Sequence, residues 1–352
     1  MSRIIQIMES FSYGDAIGNH ATTIHEELKK RNVESLIYAN SVDERRRNLG
    51  HSIKRYDPRP DDVILYHLST GSDLNRKVMD YPGKLIINYH NITPPEFFHG
   101  YSDVMEQVCV KGYEDAKLLK DHAVAVISDS AYNTRELEGM GYTCPMYSIP
   151  IFMDFSDYEK TPDAAVMKKY SDDTKNILFV GRIAPNKKQE DVIRAFYYYT
   201  KLFEPNSRLI LVGNYNNLEQ YYLELKAYAR KLGLTNVVFP GHTSFAEILA
   251  YYRTADLFLC QSEHEGFCVP LVEAMYFGKP IVAYDSTAIG ETLGLAGVLL
   301  KEKDPALTAA VMDQVIRDPQ LQQCIADHQK DNLARFRHEA VAEAYMKILL
   351  GE

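Results

Sequence analysis

The chain has 352 residues, 46% of them hydrophobic and 25% charged, with a formal net charge of −9. That length exceeds one ordinary core and suits two domains. The acidic balance excludes nucleic acid as the main partner, since neutralising phosphates takes a basic surface. Five cysteines, an odd number with no repeated spacing, read as reduced thiols and not as a disulfide framework.

In chain order, the first half carries short apolar strands expected at 4–8, 35–39, 63–67, 85–90 and 124–128. The second half repeats the rhythm at 176–180, 208–212, 237–240, 257–260, 280–283 and 298–300. Amphipathic stretches lie between them: Val192, Ile193, Phe196, Tyr199 and Phe203 recur at helical spacing, Leu218–Leu232 ends at Gly233, and Ser244 and Glu247 have capping-box spacing. Strands alternating with helices imply parallel sheets with crossover helices. The chain therefore divides into two doubly wound α/β domains, 1–155 and 156–331, joined by a Pro/Asp/Ser-containing seam from Ile149 to about Asp173. A final segment, 332–352, keeps apolar positions Phe336, Val341, Tyr345 and Leu349. Ligands of such sheets bind at the carboxyl ends of the strands.

No signal peptide precedes the first strand, and no apolar run approaches the about 20 residues of a spanning helix. A cytoplasmic protein is expected. Lys29-Lys30-Arg31 and Arg45-Arg46-Arg47 permit peripheral contact with anionic lipid, although a solvated helix end and a loop explain them more simply.

Four loops at strand ends carry the chemistry. After the first strand, Phe11–His20 lacks the Gly-x-Gly-x-x-Gly fingerprint, which removes the best support for a nicotinamide-dependent dehydrogenase. Gly14 or Gly18 could let backbone approach a ligand, and Asp15 and Asn19 could hydrogen-bond one. His90 ends another strand before Asn91-Ile92-Thr93-Pro94-Pro95, a place suited to a ligand-facing residue. Ser128-Asp129-Ser130 reads best as the N-cap of the next helix. In the second half, Gly181-Arg182 emerges from a strand ahead of Lys187-Lys188; Arg can fork onto phosphate oxygens and Lys adds a point charge.

The most informative run is Glu265-Gly266-Phe267-Cys268-Val269-Pro270-Leu271-Val272-Glu273-Ala274-Met275. Pro270 suits the first turn of a helix and Gly278 its end. A loop carboxylate, unpartnered amides and a second carboxylate one turn in could hold a polyhydroxylated phosphate ester at several points. Metal binding has weak support: Glu263-His264-Glu265 and Gly241-His242 match no closed site, and Asp61-Asp62 and Asp172-Asp173 fit a strand start and a solvated linker.

This run resembles the Glu-x7-Glu motif of retaining glycosyltransferases of family 4, which have the GT-B fold of two Rossmann-like domains facing a central cleft. The resemblance implies that Glu265 meets the donor sugar, with Gly266, Phe267, Cys268, Val269, Leu271 and Val272 around the sugar and phosphates and Glu273 on the ribose. It also implies that Gly181, Arg182 and Lys188 face the diphosphate, Lys188 fitting the family spacing better than Lys187, and that His90 contacts the sugar. Gly14, Asp15, Gly18 and Asn19 then belong to the acceptor or sugar side, and the last segment is a helix crossing back to the first domain. The two N-terminal loops look like those of bacterial surface-polysaccharide mannosyltransferases. Transfer of a hexose is expected, first mannose from GDP-mannose and next a UDP-sugar, to a glycan or lipid-linked acceptor, with no metal or cofactor. A nucleotide-sugar epimerase of the same fold and a non-catalytic sugar-nucleotide-binding module remain as alternatives.

Overall fold

A computed structural model describes residues 3–351, which form two units. The first takes in the chain up to Glu96, Val104–Met153 and everything from Arg335 onward; the second comprises Phe97–Asp103 and Asp154–Ala334. No helix among the described residues is long and apolar enough to cross a membrane.

The first unit is a Rossmann-like parallel sheet of β1 (Ile4–Phe11), β2 (Ser35–Val42), β3 (Gly50–Ser52), β4 (Val63–Leu68), β5 (Lys84–Tyr89), β6 (Ala123–Ser128) and β7 (Met146–Ser148). Their order is β3-β2-β1-β4-β5-β6-β7. Ile4, Ile5, Ile7 and Met8 of β1 are all buried, as expected of a strand covered on both faces. Two elements depart from the sequence reading. The edge strands β3 and β7 have only three residues each and lack an apolar run, so pairing with one neighbour alone defines them. The last helix, His338–Leu350, puts Val341, Ala342, Tyr345, Met346 and Leu349 into the same core as Ile4, Ile24, Leu65, Ile86 and Ile127. Each such side chain contributes about 1.5–3 kcal/mol by leaving water.

The second unit is also Rossmann-like and parallel, built from β8 (Lys175–Val180), β9 (Ser207–Val212), β10 (Val237–Gly241), β11 (Leu257–Cys260), β12 (Ile281–Tyr284) and β13 (Val298–Leu300). The order is β10-β9-β8-β11-β12-β13. Its helices keep the punctuation read from the sequence. Ser244 and Glu247 form a complete capping box, and Gly233 (φ 71°) follows the helix Glu219–Lys231.

In each sheet the chain reverses its direction of growth once, between β1 and β4 and between β8 and β11. The crevice at the carboxyl ends of such a strand pair is where doubly wound sheets bind ligands. Those four strands are the ones that feed the loops after Phe11, Leu68, Val180 and Cys260.

Candidate active site

At the second domain's switch point, Val180 hands the chain to Gly181 and Arg182, whose guanidinium donates to the Asn216 carbonyl (2.8 Å). A 3-10 turn over Pro185–Lys187 follows. The Asn186 side chain donates to the His264 carbonyl (3.1 Å), and the Glu263 amide donates to the Asn186 carbonyl (2.9 Å). These bonds stitch the loop after β8 to the loop after β11. They also bring the Lys187 ammonium to 2.5 Å from Glu265, with both side chains largely buried. Burial by itself would pull the Lys187 ammonium down, but the charge and hydrogen bond of Glu265, together with the neighbouring thiols, hold it above its ordinary range.

The two lysines take different partners, which bears on the expectation for Lys188. Lys188, not Lys187, was expected to face the ligand because Gln189 starts the next helix. Lys188 takes the left-handed backbone (φ 51°, ψ 47°), which turns its ammonium toward Glu263 (3.3 Å) and Glu190 (3.6 Å). That conformation marks the turn between the 3-10 segment and the helix Gln189–Leu202, and it is the signal that separates the two lysines.

Glu265 is fixed from behind as well. Its amide donates to the Thr287 hydroxyl and its carbonyl accepts from that hydroxyl, both at 2.9 Å. Cys268 is also left-handed (φ 75°, ψ 65°) and starts the helix Val269–Tyr276 without a side-chain cap. An uncapped helix start leaves amides to take an anion. Pro270 lies in that first turn, as its rigid φ allows. Glu273, further along, accepts from Tyr252 (2.7 Å) and Tyr158 (3.1 Å), and burial raises its carboxyl above the usual range. A carboxylate has about four lone-pair sites, so two tyrosines leave room for further hydroxyl donors.

In the first domain the loop after β1 resolves into separate roles. A Cβ on Gly18 would lie 2.4 Å from the Ser12 carbonyl oxygen, so Gly18 serves close packing inside the helix Ala16–Lys30. Gly14 (φ 75°) has nothing within 4 Å of where a Cβ would be, and it is exposed. Asp15 caps the helix by accepting from the Gly18 amide (3.1 Å), and Asn19 accepts from Arg46. The neighbouring arginines are partly neutralised, Arg45 by Asp43 and Arg47 by Glu44.

His90 belongs to a buried network that the sequence did not disclose. Gln6 donates its amide to the Ala21 carbonyl (2.9 Å), so its oxygen accepts from His67 Nε2 (3.0 Å). His67 Nδ1 is therefore bare and accepts from His90 Nε2 (2.9 Å). His90 Nδ1 then meets Asp129 Oδ2 at 2.8 Å, an interaction that requires one further proton shared by that pair. Both ring nitrogens of His90 are thus engaged, its side chain is only 2% exposed, and none is left for a sugar. His20 closes the group: it accepts from the Phe152 amide (3.0 Å) and donates to Asn88 (2.9 Å). Burial pushes His20 down to about 3 and His67 well below its ordinary value, so both are neutral. Ser130 caps the helix Ala131–Gly139 as expected, while Asp129 takes the pairing role. No spacing links residues 6, 20, 67, 90 and 129; only the sheet brings them together.

Residues 164–331 match the family described as glycosyl transferases group 1. An uncharacterised glycosyltransferase of Methanocaldococcus jannaschii is 27% identical over 57% of this chain and 52% of its own length. The D-inositol 3-phosphate glycosyltransferase of Thermobispora bispora is 28% identical over 65% of this chain and 57% of its own. The chain thus spans about half the length of the curated relatives it matches. Among solved structures, Anabaena HepE in complex with UDP-glucose has a TM-score of 0.78 at 18% identity, covering all of both chains. The second domain thus carries the match to the group 1 glycosyl transferases, over residues 164–331, and the chain as a whole has the GT-B fold.

Proposed function

We propose that this chain transfers a hexose, with retention of configuration, from a nucleotide-diphosphate sugar to a hydroxyl of a glycan or lipid-linked acceptor. The observation that carries this reading is the Lys187–Glu265 ion pair at the second domain's switch point, beside an uncapped helix start. The departing nucleotide diphosphate gathers negative charge, and offsetting that charge dominates such transfers. Lys187, Arg182 and the first-turn amides of Val269–Tyr276 supply positive charge without a metal ion, and Lys188 adds to the local field. Glu265 orients Lys187 and accepts from sugar hydroxyls, and Glu273 takes the ribose on its remaining lone pairs. On the first domain, Gly14 lets backbone approach a ligand, with Asp15 and Asn19 beside it; Gly18 contributes only packing. His90, with both ring nitrogens engaged by His67 and Asp129, is left out of the sugar contacts.

In the reaction, the acceptor oxygen bonds to the anomeric carbon on the face the diphosphate leaves. The carbon–phosphate-oxygen bond breaks, and the acceptor proton passes to the leaving phosphate. No protein nucleophile is required. GDP-mannose is the first donor to test, on the likeness of the Gly14–His20 and His90–Pro94 loops to mannosyltransferases, and UDP-glucose, the ligand of HepE, is the second.

The test is a thermal-shift panel of GDP, UDP, ADP and their sugar conjugates, with and without EDTA. A ligand at 100 times its Kd stabilises the native state by about 2.7 kcal/mol. Selective stabilisation by GDP-mannose, indifferent to EDTA, is the expected result. A UDP preference replaces the donor, and no shift with any nucleotide overturns the reading in favour of a non-catalytic protein.

A further inference from the structure

Two buried thiols lie at the proposed donor loop, one at the end of the strand before it and one within it. Cys260 ends β11, and Cys268 immediately precedes the helix Val269–Tyr276. Their sulfurs and a Glu265 carboxylate oxygen all lie within 4.8 Å of one another, and the two cysteines are 1% and 6% exposed. Two thiolates and a carboxylate form a donor set for a soft cation. The Lys187 ammonium, already on Glu265, opposes a second cation there. What the cluster favours instead is thiol chemistry, since two sulfurs lie within reach of one another. The hydrogen bond from Cys268 holds the Cys260 thiol below its ordinary range, while the same bond, with burial, drives Cys268 well above it. One sulfur is suited to attack and the other to resolve.

We propose that Cys260 and Cys268 form a hydroperoxide-sensitive dithiol whose oxidation to an intramolecular disulfide weakens donor binding. The Cys260 thiolate attacks a peroxide oxygen, the O–O bond breaks, and the released hydroxide takes a proton to leave as water. The Cys268 sulfur then displaces the hydroxyl of the Cys260 sulfenic acid as a second water. Both thiol protons end in water, the two sulfurs lose two electrons and the peroxide gains them. A disulfide needs its sulfurs about 2.05 Å apart, so one side must move. β11 is held by pairing to β8 and β12. Movement therefore falls on the Glu265–Val269 loop, whose left-handed Cys268 is its strained point. That displaces Glu265 and the amides proposed to hold the donor, and the effect on binding rests on the donor-site reading above.

The test treats the full chain with hydrogen peroxide, alkylates remaining thiols and maps the peptides by mass. A 260–268 cross-link two hydrogens lighter, reversed by dithiothreitol, is expected, together with about tenfold weaker binding of the nucleotide sugar, about 1.4 kcal/mol. The Cys260→Ser variant is expected to bind donor as the parent does and to keep that binding after peroxide. Alkylation of both thiols under conditions that oxidise the exposed Cys324 overturns the proposal, as does equal loss of binding in Cys260→Ser. If no nucleotide binds before oxidation, the donor reading fails, while the peptide map still decides whether the pair forms.

Discussion

The polar residues at the two switch points are committed in opposite ways. In the first domain, Gln6, His67, His90 and Asp129 are joined in a buried line, and both ring nitrogens of His20, His67 and His90 are engaged, although the buried Asp129 Oδ1 has no partner. In the second domain, Lys187 and Glu265 form a single contact, Glu273 retains lone pairs, and a helix start is uncapped. The lesson is that a strand-end location alone does not identify a ligand group. What separates the two regions is whether the side chains are engaged with one another in the interior, or paired so that an incoming anion can exchange with them.

The largest expected effect tests the open side of that contrast. Lys187→Ala should lower kcat/KM by about 10²–10³-fold, or about 2.7–4 kcal/mol of transition-state stabilisation, with far-UV circular dichroism unchanged. Lys188→Ala should cost less than about tenfold. The reverse order in steady-state kinetics would remove the Lys187–Glu265 pair from the mechanism.

Next comes pH, which probes the interior side. The folded value of His20 lies near 3, below the unfolded 6.5, so between those values the unfolded chain binds more protons than the native one. Its contribution is fully present above about 6.5 and declines as pH falls toward 3, costing about 2–3 kcal/mol by pH 4.5. Urea unfolding at pH 7 and 4.5 should show that loss, and His20→Asn should flatten it. An identical slope in the variant would mean that His20 is not the buried neutral group described.

Two glycine substitutions have smaller effects. Gly18→Ala pushes a methyl onto the Ser12 carbonyl and should destabilise by about 2 kcal/mol. Gly14→Ala meets no atom and should cost only about 1 kcal/mol, from its left-handed φ. Equal losses in thermal denaturation would contradict the separate roles assigned to them. Smallest in stability is Glu273→Gln, which removes a carboxylate that burial disfavours. Stability within about 1 kcal/mol of the parent, or above it, is expected; a large loss would show that the two tyrosines depend on its charge.

Much of the fold was legible because fully buried parallel strands announce themselves. Leu257–Cys260 is apolar throughout and Ile4–Met8 is apolar except at Gln6, and eleven strands are legible from such runs. β3 and β7 were not, since Gly50-His51-Ser52 and Met146-Tyr147-Ser148 carry no period and exist through backbone pairing. The helix starting near Pro270 and the capping box at Ser244 could be read locally. The different partners of the two lysines could not, because they turn on the backbone conformation of Lys188, and a left-handed lysine has no sequence signature. Asp129 was read as part of a cap and is a histidine partner, a contact made by sheet neighbours 39 residues apart.

The last helix carries a consequence for synthesis. His338–Leu350 completes a core whose other members include Ile4, Leu65 and Ile127. A ribosome emits those earlier residues first, at about 5–20 per second, yet their apolar surface stays uncovered until the entire second domain has been made. The second domain's own sheet is complete once β13 emerges, so it can close first. The first-made domain therefore keeps part of its core uncovered until the last helix is made, and that surface is open to chaperones and to aggregation in the meantime.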